Sequence, residues 1–417
     1  MALPVHNTSI MGDDYILSGG AIMLPDRLLE SGLMIVRDGI IDYVGSGTLS
    51  EYFAQNLYDR RLAVIDCADS YILPRLVEMH IHGAFGVGFE NVRGGEDILL
   101  VARRLKERGV GCFVPTILWD EEAVGRLVDA IKASNLPESV IPGIHIEGPF
   151  INPEKKGGIG ESQIAKPDVD LCEHILETTQ GLLRIMTIAP ELPGIEKLYP
   201  LLLDKGVLIS LGHSAASVGT KLPPPPFSAT HLYNAMSGLD HRGGGLVNIA
   251  LSGATRWAEL NADGIHVNAT AMKIASLCIP SERLILTSDA VVAAGLEYGD
   301  YSYFGKRIVS DESGVRYRDT GVLIGSNKLG MQIVKSFVAA TGKPLHAAIA
   351  SMSATPLAAL GLTGKERRGT IETGTLADVF IWDNTLSACR SPGEDAATAA
   401  AGIEVNDTYA SGKGLSK

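Results

Sequence analysis

Apolar and polar residues alternate in short stretches over roughly the first 70 positions, broken by Gly and Asp, which is the pattern of half-buried strands and turns. Strands are expected at 15–17, 21–24, 32–37 and 40–44. From residue 72 the rhythm changes. Short apolar runs, each ending in polar residues, alternate with stretches of helical spacing such as 95–108 and 122–133. Eight runs stand out, at 76–82, 111–118, 141–147, 184–191, 207–213, 229–234, 256–263 and 283–289. Eight strand–helix alternations predict an α/β fold, a (β/α)8 barrel of the TIM type.

Residues 345–362 read as the helix that closes the barrel, and 368–383 return to strands around Gly369 and Gly374. Such a tail can pair with the N-terminal strands, so a small β-sandwich built from both chain ends is expected. The predicted domains are 1–71, the first part of that sandwich; 72–363, the barrel; and 364–417, the rest of the sandwich and a tail. The prolines at 223–226 exclude helix and central strand and predict a stiff surface loop. The last thirty or so residues, rich in Ala, Gly and Ser, are weakly specified and expected to be mobile.

Composition narrows the function classes. Hydrophobic residues at 46% and charged residues at 20% describe a compact globular chain, long enough at 417 residues for one large barrel and an accessory layer. The net charge of -12, with no Lys/Arg block, argues against a nucleic-acid partner. The cysteines (Cys67, Cys112, Cys172, Cys278 and Cys389) are odd in number and never form a CxxC pair, which argues against a disulfide framework or a thiolate zinc site. Met1 to Gly20 lacks the basic-then-apolar layout of a signal peptide, and no apolar run reaches bilayer length, so a cytoplasmic enzyme without membrane partners is expected.

The candidate chemistry lies where the apolar runs end. His80 and His82, Glu147, His213, His231 and Asp289 fall at the C-terminal ends of predicted barrel strands one, three, five, six and eight. In a barrel those ends converge on one mouth, where active sites are built. Imidazole and carboxylate ligands suit zinc or divalent iron. A lone histidine at a strand end is commonly a structural residue, but a His-x-His pair presents both rings on one face. The joint pattern predicts a metal site.

Several segments then resemble one family. They are HIEGPFINPEKKG at 145–157, SLGHS at 210–214, ATHLYNAM at 229–236, ADGIH at 262–266 and TSDA at 287–290. Together with GTIETGTLAD at 369–378 they closely resemble N-acetylglucosamine-6-phosphate deacetylases, members of the amidohydrolase superfamily. The similarity runs in order from about residue 72 to residue 383.

The resemblance implies a role for each matching position. Glu147, His213 and His231 match metal ligands. His80 and His82 match a pair that some members use for a second metal, so one or two divalent ions (Zn2+ or Fe2+) per subunit are implied, with Glu147 bridging. Asp289 matches the catalytic acid and base, and His266 a histidine that hydrogen-bonds the substrate near the reacting group. Asn234, Ala235 and Arg242 match phosphate-binding positions. That arginine serves the neighbouring subunit's site in the family, which implies a homodimer. The implied substrate is a phosphorylated amino sugar, hydrolysed to amine and acetate. Metal would activate the water, Asp289 would move its proton, and His266 would help stabilise the oxyanion.

Three departures bear on the substrate. Ile159 stands where the family usually has a sugar-contacting histidine, Glu78 where an aspartate precedes the His-x-His pair, and Asn268 where many relatives have another histidine. An amidohydrolase acting on a different N-acyl or cyclic amide is therefore the alternative. A third reading, a barrel kept as a non-catalytic scaffold, predicts gaps among the ligands, and every position is filled.

Overall fold

The structure, a computed structural model, describes residues 14–56, 62–363 and 368–392. The expected mobile tail beyond residue 392 lies outside the described residues. Packing divides the chain into two compact units, Met1–Arg75 with Thr363–Lys417, and Leu76–Leu362.

The first unit carries a seven-stranded sheet to which both chain ends contribute. The two short strands expected at 15–17 and 21–24 are one strand, Tyr15–Met23. Its register shifts on both sides of Gly20 let it change partner midway. Residues 15–18 pair in parallel with Ala63–Asp66, and 21–22 pair with Ser70–Pro74. Side chains alternate across the sheet: Tyr15, Leu17, Met34 and Val36 build one core, while Ile16, Leu33 and Ile35 pack beneath Leu49, Tyr52 and Phe53. Those last three belong to a helix, Leu49–Gln55, that the strand pattern did not announce; Thr48 and Glu51 close a capping box at its start. The C-terminal return strand is Val379–Asp383, antiparallel to Ser70–Pro74. No strand forms around Gly369 and Gly374, at φ 92° and 84°. Both lie in the left-handed region, where the chain turns rather than extends.

The second unit holds eight parallel strands in consecutive order: Leu76–Ile81, Val110–Ile117, Ile144–Glu147, Leu183–Ile188, Leu208–Leu211, Ser228–Ala229, Trp257–Asn261 and Leu284–Thr287. A parallel bridge between Ile81 and Ala290 links the eighth to the first, closing the (β/α)8 barrel. All eight runs read from the sequence overlap barrel strands; most differ by a few residues at their ends, and the sixth, 229–234, shares only Ala229 with its strand. One apolar cluster joins Met79, Val114, Ile185, Leu208, Trp257 and Ile285. Two residues further along five of these strands stand Thr116, Thr187, Ser210, Glu259 and Thr287, all buried. Period-two geometry puts them on the same strand face as the apolar cluster, so the interior turns polar toward the mouth.

Between the eighth strand and the next helix, Met331–Thr341, lies an antiparallel sheet of Gly299–Tyr303, Lys306–Asp311, Gly314–Tyr317 and Leu323–Gly325. The sequence reading did not anticipate it. The predicted 345–362 helix is two short ones, Leu345–Ala350 and Ala354–Ala359. The proline run at 223–226 is a loop, with Pro224 to Pro226 exposed, as expected. Among the described residues no helix is long and apolar enough to cross a membrane.

Candidate active site and metal centre

Each candidate side chain stands at, or just beyond, the C-terminal end of its strand. His80 lies in the first strand and His82 just past it, and Glu147 ends the third. His213, His231 and Asp289 each follow their strand by two residues, and all three have left-handed backbone, at φ 47°, 30° and 52°. Residues other than glycine rarely adopt this conformation, which costs of order 1–3 kcal/mol and clusters at functional sites. The strands crowd here. A Cβ on Gly212, beside His213, would come within 2.8 Å of Thr230 and 3.0 Å of Thr187.

The side chains converge on Glu147. Its Oε1 lies 3.0 Å from His213 Nε2, 2.9 Å from His231 Nε2 and 3.7 Å from His80 Nε2, and its Oε2 lies 3.2 Å from His82 Nε2. The Nε2 atoms of His213 and His231 are 3.0 Å apart, and those of His80 and His82 are 3.3 Å apart. His213 Nδ1 donates to the Lys155 carbonyl at 2.8 Å, so Nε2 is the nitrogen that faces inward. His80 Nδ1 meets Glu259 Oε2 at 2.9 Å and turns its Nε2 the same way. Lone pairs and carboxylate oxygens pointing at one another in a buried volume repel unless a proton or cation lies between them. Two such groups form, His80–His82–Glu147 and Glu147–His213–His231, with ligand atoms within 4.8 Å of one another. Nitrogen and oxygen donors, with the His80 and His213 rings fixed by outer partners, fit a divalent metal, and either group could hold one.

Electrostatics follow from the crowding. Burial alone would lower the pKa of His80, but Asp289, Glu259 and Glu147 raise it to about 10. Burial would raise Glu147; the facing charge of His213 and hydrogen bonds from His213, His231 and His82 hold it well below the usual carboxylate range. Asp289 is likewise lowered against its burial, mainly by His80 and His82. Its Oδ1 lies 3.5 Å from both rings, and its Oδ2 accepts from Asn261 Nδ2 at 3.1 Å. Asp289 thus stays a carboxylate beside the ligand cluster. His266 Nδ1 bonds Asp263 Oδ2 at 2.8 Å. Burial would lower His266, but Asp263 and Asp289 raise it.

A cavity of about 590 Å³ opens over these groups. His82, Glu147, His213, His231, His266 and Asp289 line it, together with Asn234, Ala235 and Ile159. Tyr303, Phe304, Lys306 and Tyr317 of the unanticipated sheet also face it. Arg242 is not on this wall. It lies in an exposed turn whose backbone amides donate to Asp240 Oδ1. Ile159 packs against Leu118 and Ile151, so that stretch of wall is apolar. Asn268 is the N-cap of the helix Ala269–Cys278 and does not line the cavity. Glu78 is fully buried and accepts from Thr287 Oγ1 and Ser288 N at 2.7 and 3.2 Å; burial raises its pKa.

Sequence reasoning missed Glu259, Asn261 and Asp263. They alternate along strand seven and just past it, and touch His80, Asp289 and His266 in turn. Polar residues at i, i+2 and i+4 in a buried strand were the available signal.

Residues 71–414 match the sequence model of the amidohydrolase family. The N-acetylglucosamine-6-phosphate deacetylase of Bos taurus is 31% identical over 388 residues, covering 89% of this chain and 90% of its own length. That of Homo sapiens is 32% identical over 386 residues, with coverages of 89% and 90%. The crystal structure of N-acetylglucosamine-6-phosphate deacetylase from Pasteurella multocida superposes with a TM-score of 0.79 at 22% identity, covering 90% of this chain and 97% of that one, which shows a shared fold.

Proposed function

Because this chain belongs to the amidohydrolase family, we propose that it hydrolyses the N-acetyl group of N-acetylglucosamine 6-phosphate to the free amine and acetate. One observation carries the reading: ligands of both groups, Asp289, Asn234 and Ala235 line a single cavity. Glu147, His213 and His231 would hold one divalent ion, zinc or iron, and His80 and His82 with Glu147 a second. Such an ion supplies Lewis acidity toward the amide carbonyl and toward water.

The chain's own residues do the rest. Asp289, beside the ligand cluster and held through Oδ2 by Asn261, takes a proton from the attacking water. The new C–O bond forms as the carbonyl opens to an oxyanion; the C–N bond then breaks as the carbonyl re-forms, and Asp289 delivers the proton to the departing nitrogen. His266 is held through Nδ1 by Asp263, so Nε2 is the edge left to donate to the developing oxyanion. Asn234 and Ala235 would meet the phosphate, with Arg242 reaching it from the neighbouring subunit of a homodimer. Arginine's forked donors suit that group. The odd, unpatterned cysteines support a cytoplasmic location.

A second reading, a different N-acyl substrate, is favoured by the apolar wall at Ile159. Acetate release from N-acetylglucosamine 6-phosphate by metal-replete protein separates the two. Asp289→Asn should reduce it about 10²–10⁴-fold. A metal-replete wild type that releases no acetate overturns the first reading in favour of the second.

A further inference from the structure

Glu259 is an acidic residue inside the barrel with no exposure at all, and it neither lines the cavity nor belongs to the ligand groups. It sits in the middle of strand seven, Trp257–Asn261, which supplies no metal ligand. A carboxylate stripped of water is costly unless strongly partnered. Its Oε2 has two partners: His80 Nδ1 at 2.9 Å and the backbone N–H of His231 at 3.3 Å. Both belong to residues of the ligand cluster, one from each of the two candidate groups. Its Oε1 is buried without a hydrogen-bond partner, so the side chain gains little beyond these two contacts. The next same-face residue of the strand, Asn261, holds Asp289 in a similar way.

We propose that Glu259 is a positioning residue for the metal centre: it fixes the His80 ring with Nδ1 protonated and Nε2 aimed inward, and so builds the ion position formed by His80, His82 and Glu147. The proposal rests on the metal-centre reading above and deepens it. A neutral imidazole carries one N–H, and whichever nitrogen bonds the carboxylate leaves the other as the ligand. Without the Glu259 acceptor, the His80 ring loses the anchor at Nδ1 and can take the other tautomer. The N–H would then face the cluster, where it cannot bind a cation. The Glu147–His213–His231 group meets Glu259 only through the His231 backbone N–H, and His213 has its own anchor in the Lys155 carbonyl, so this group should depend on Glu259 less.

The test reads binding rather than turnover. Apo-protein is titrated with Co2+ against a competing chelator and followed by the visible spectrum of the histidine-bound ion. The ion that depends on His80 is identified as the one lost in His80→Ala. Glu259→Gln keeps the shape and removes the charge; Glu259→Leu removes the acceptor as well. Each should weaken that ion within the range of about 10–100-fold typical of outer partners, Leu more than Gln, and the other ion by clearly less. Should the Leu variant fail to fold, the Gln variant decides. Wild-type affinity for both ions in Glu259→Gln overturns the proposal, and so does a His80→Ala protein that loses no ion. Failure of the deacetylase reading would appear separately, as absent acetate release by metal-replete wild type whose Co2+ titration still responds to Glu259.

Discussion

Asp263 holds His266 through its side chain and also accepts the backbone N–H groups of Ile265 and His266 at 2.8 and 2.9 Å. Burial would raise its pKa, yet these bonds lower it, while His266 is raised above its ordinary value. The two shifts set opposite limits on stability. The carboxylate's contribution is complete above its unfolded value of about 3.9 and fades as pH falls through the lowered folded value. The imidazolium's is complete below about 6.5 and fades as pH rises through the raised folded value. Asp263→Asn should therefore cost about 1.5–3 kcal/mol, as charged hydrogen bonds do. The loss should be greatest between those two pH values and shrink outside them, as read from urea midpoints across pH. A loss independent of pH would sink the argument. The same residue shows what the sequence conceals. His80, Glu147, His213 and Asp289 were legible because each ends an apolar run at the barrel mouth, and barrel topology alone brings such ends together. Glu259 and Asn261 lie within a run, and their meaning depends on partners 179 and 28 residues away.

The helix Ala269–Cys278 follows strand seven and begins at Asn268, whose Oδ1 accepts from Ala271 N at 3.0 Å. Read from the sequence, Asn268 was a departure bearing on the substrate; in the structure it satisfies a helix end. Asn268→Ala should then destabilise by about 1 kcal/mol, the usual cost of a lost N-cap. Acetate release by the folded variant should stay at the wild-type level. An unchanged urea midpoint combined with a raised KM would return Asn268 to the substrate. At this scale the barrel strands were readable because strands buried on both faces appear as continuous apolar runs with polar ends. The sheet at 299–325 was not, because its strands alternate between buried and exposed positions within a stretch where the barrel pattern calls for a helix. The turn residues Gly305 and Gly314, at φ 69° and 98°, were the local clue. Helix Leu49–Gln55 buries no residue fully, so it left little periodic signal.

For the whole molecule, a metal that binds only the folded chain is part of its stability. An ion present at 100 times its dissociation constant adds about 2.7 kcal/mol. Chelation should lower the melting temperature, and returning Zn2+ or Fe2+ should restore it in a concentration-dependent way; an unmoved transition would mean that the ligand cluster holds no ion. The position of Arg242 raises a second question at this scale. Within its own chain it is exposed and off the cavity wall, so a phosphate role requires a second copy. Arg242→Ala should then raise KM by roughly 10-fold or more, the scale of a charged hydrogen bond, with kcat less affected. Mixing it with Asp289→Asn gives the decisive comparison, since on the proposed homodimer each variant alone would lack an essential group at both of its sites. In a mixed two-fold dimer, the site with intact Asp289 faces the subunit with intact Arg242, and the other site has neither. Random reassortment makes half the dimers mixed, with one restored site in each, so roughly a quarter of wild-type activity should return at limiting substrate. No recovery from subunits shown to have exchanged would place Arg242 outside the neighbouring site, and the cavity would then need its phosphate-binding cation from the residues that already line it.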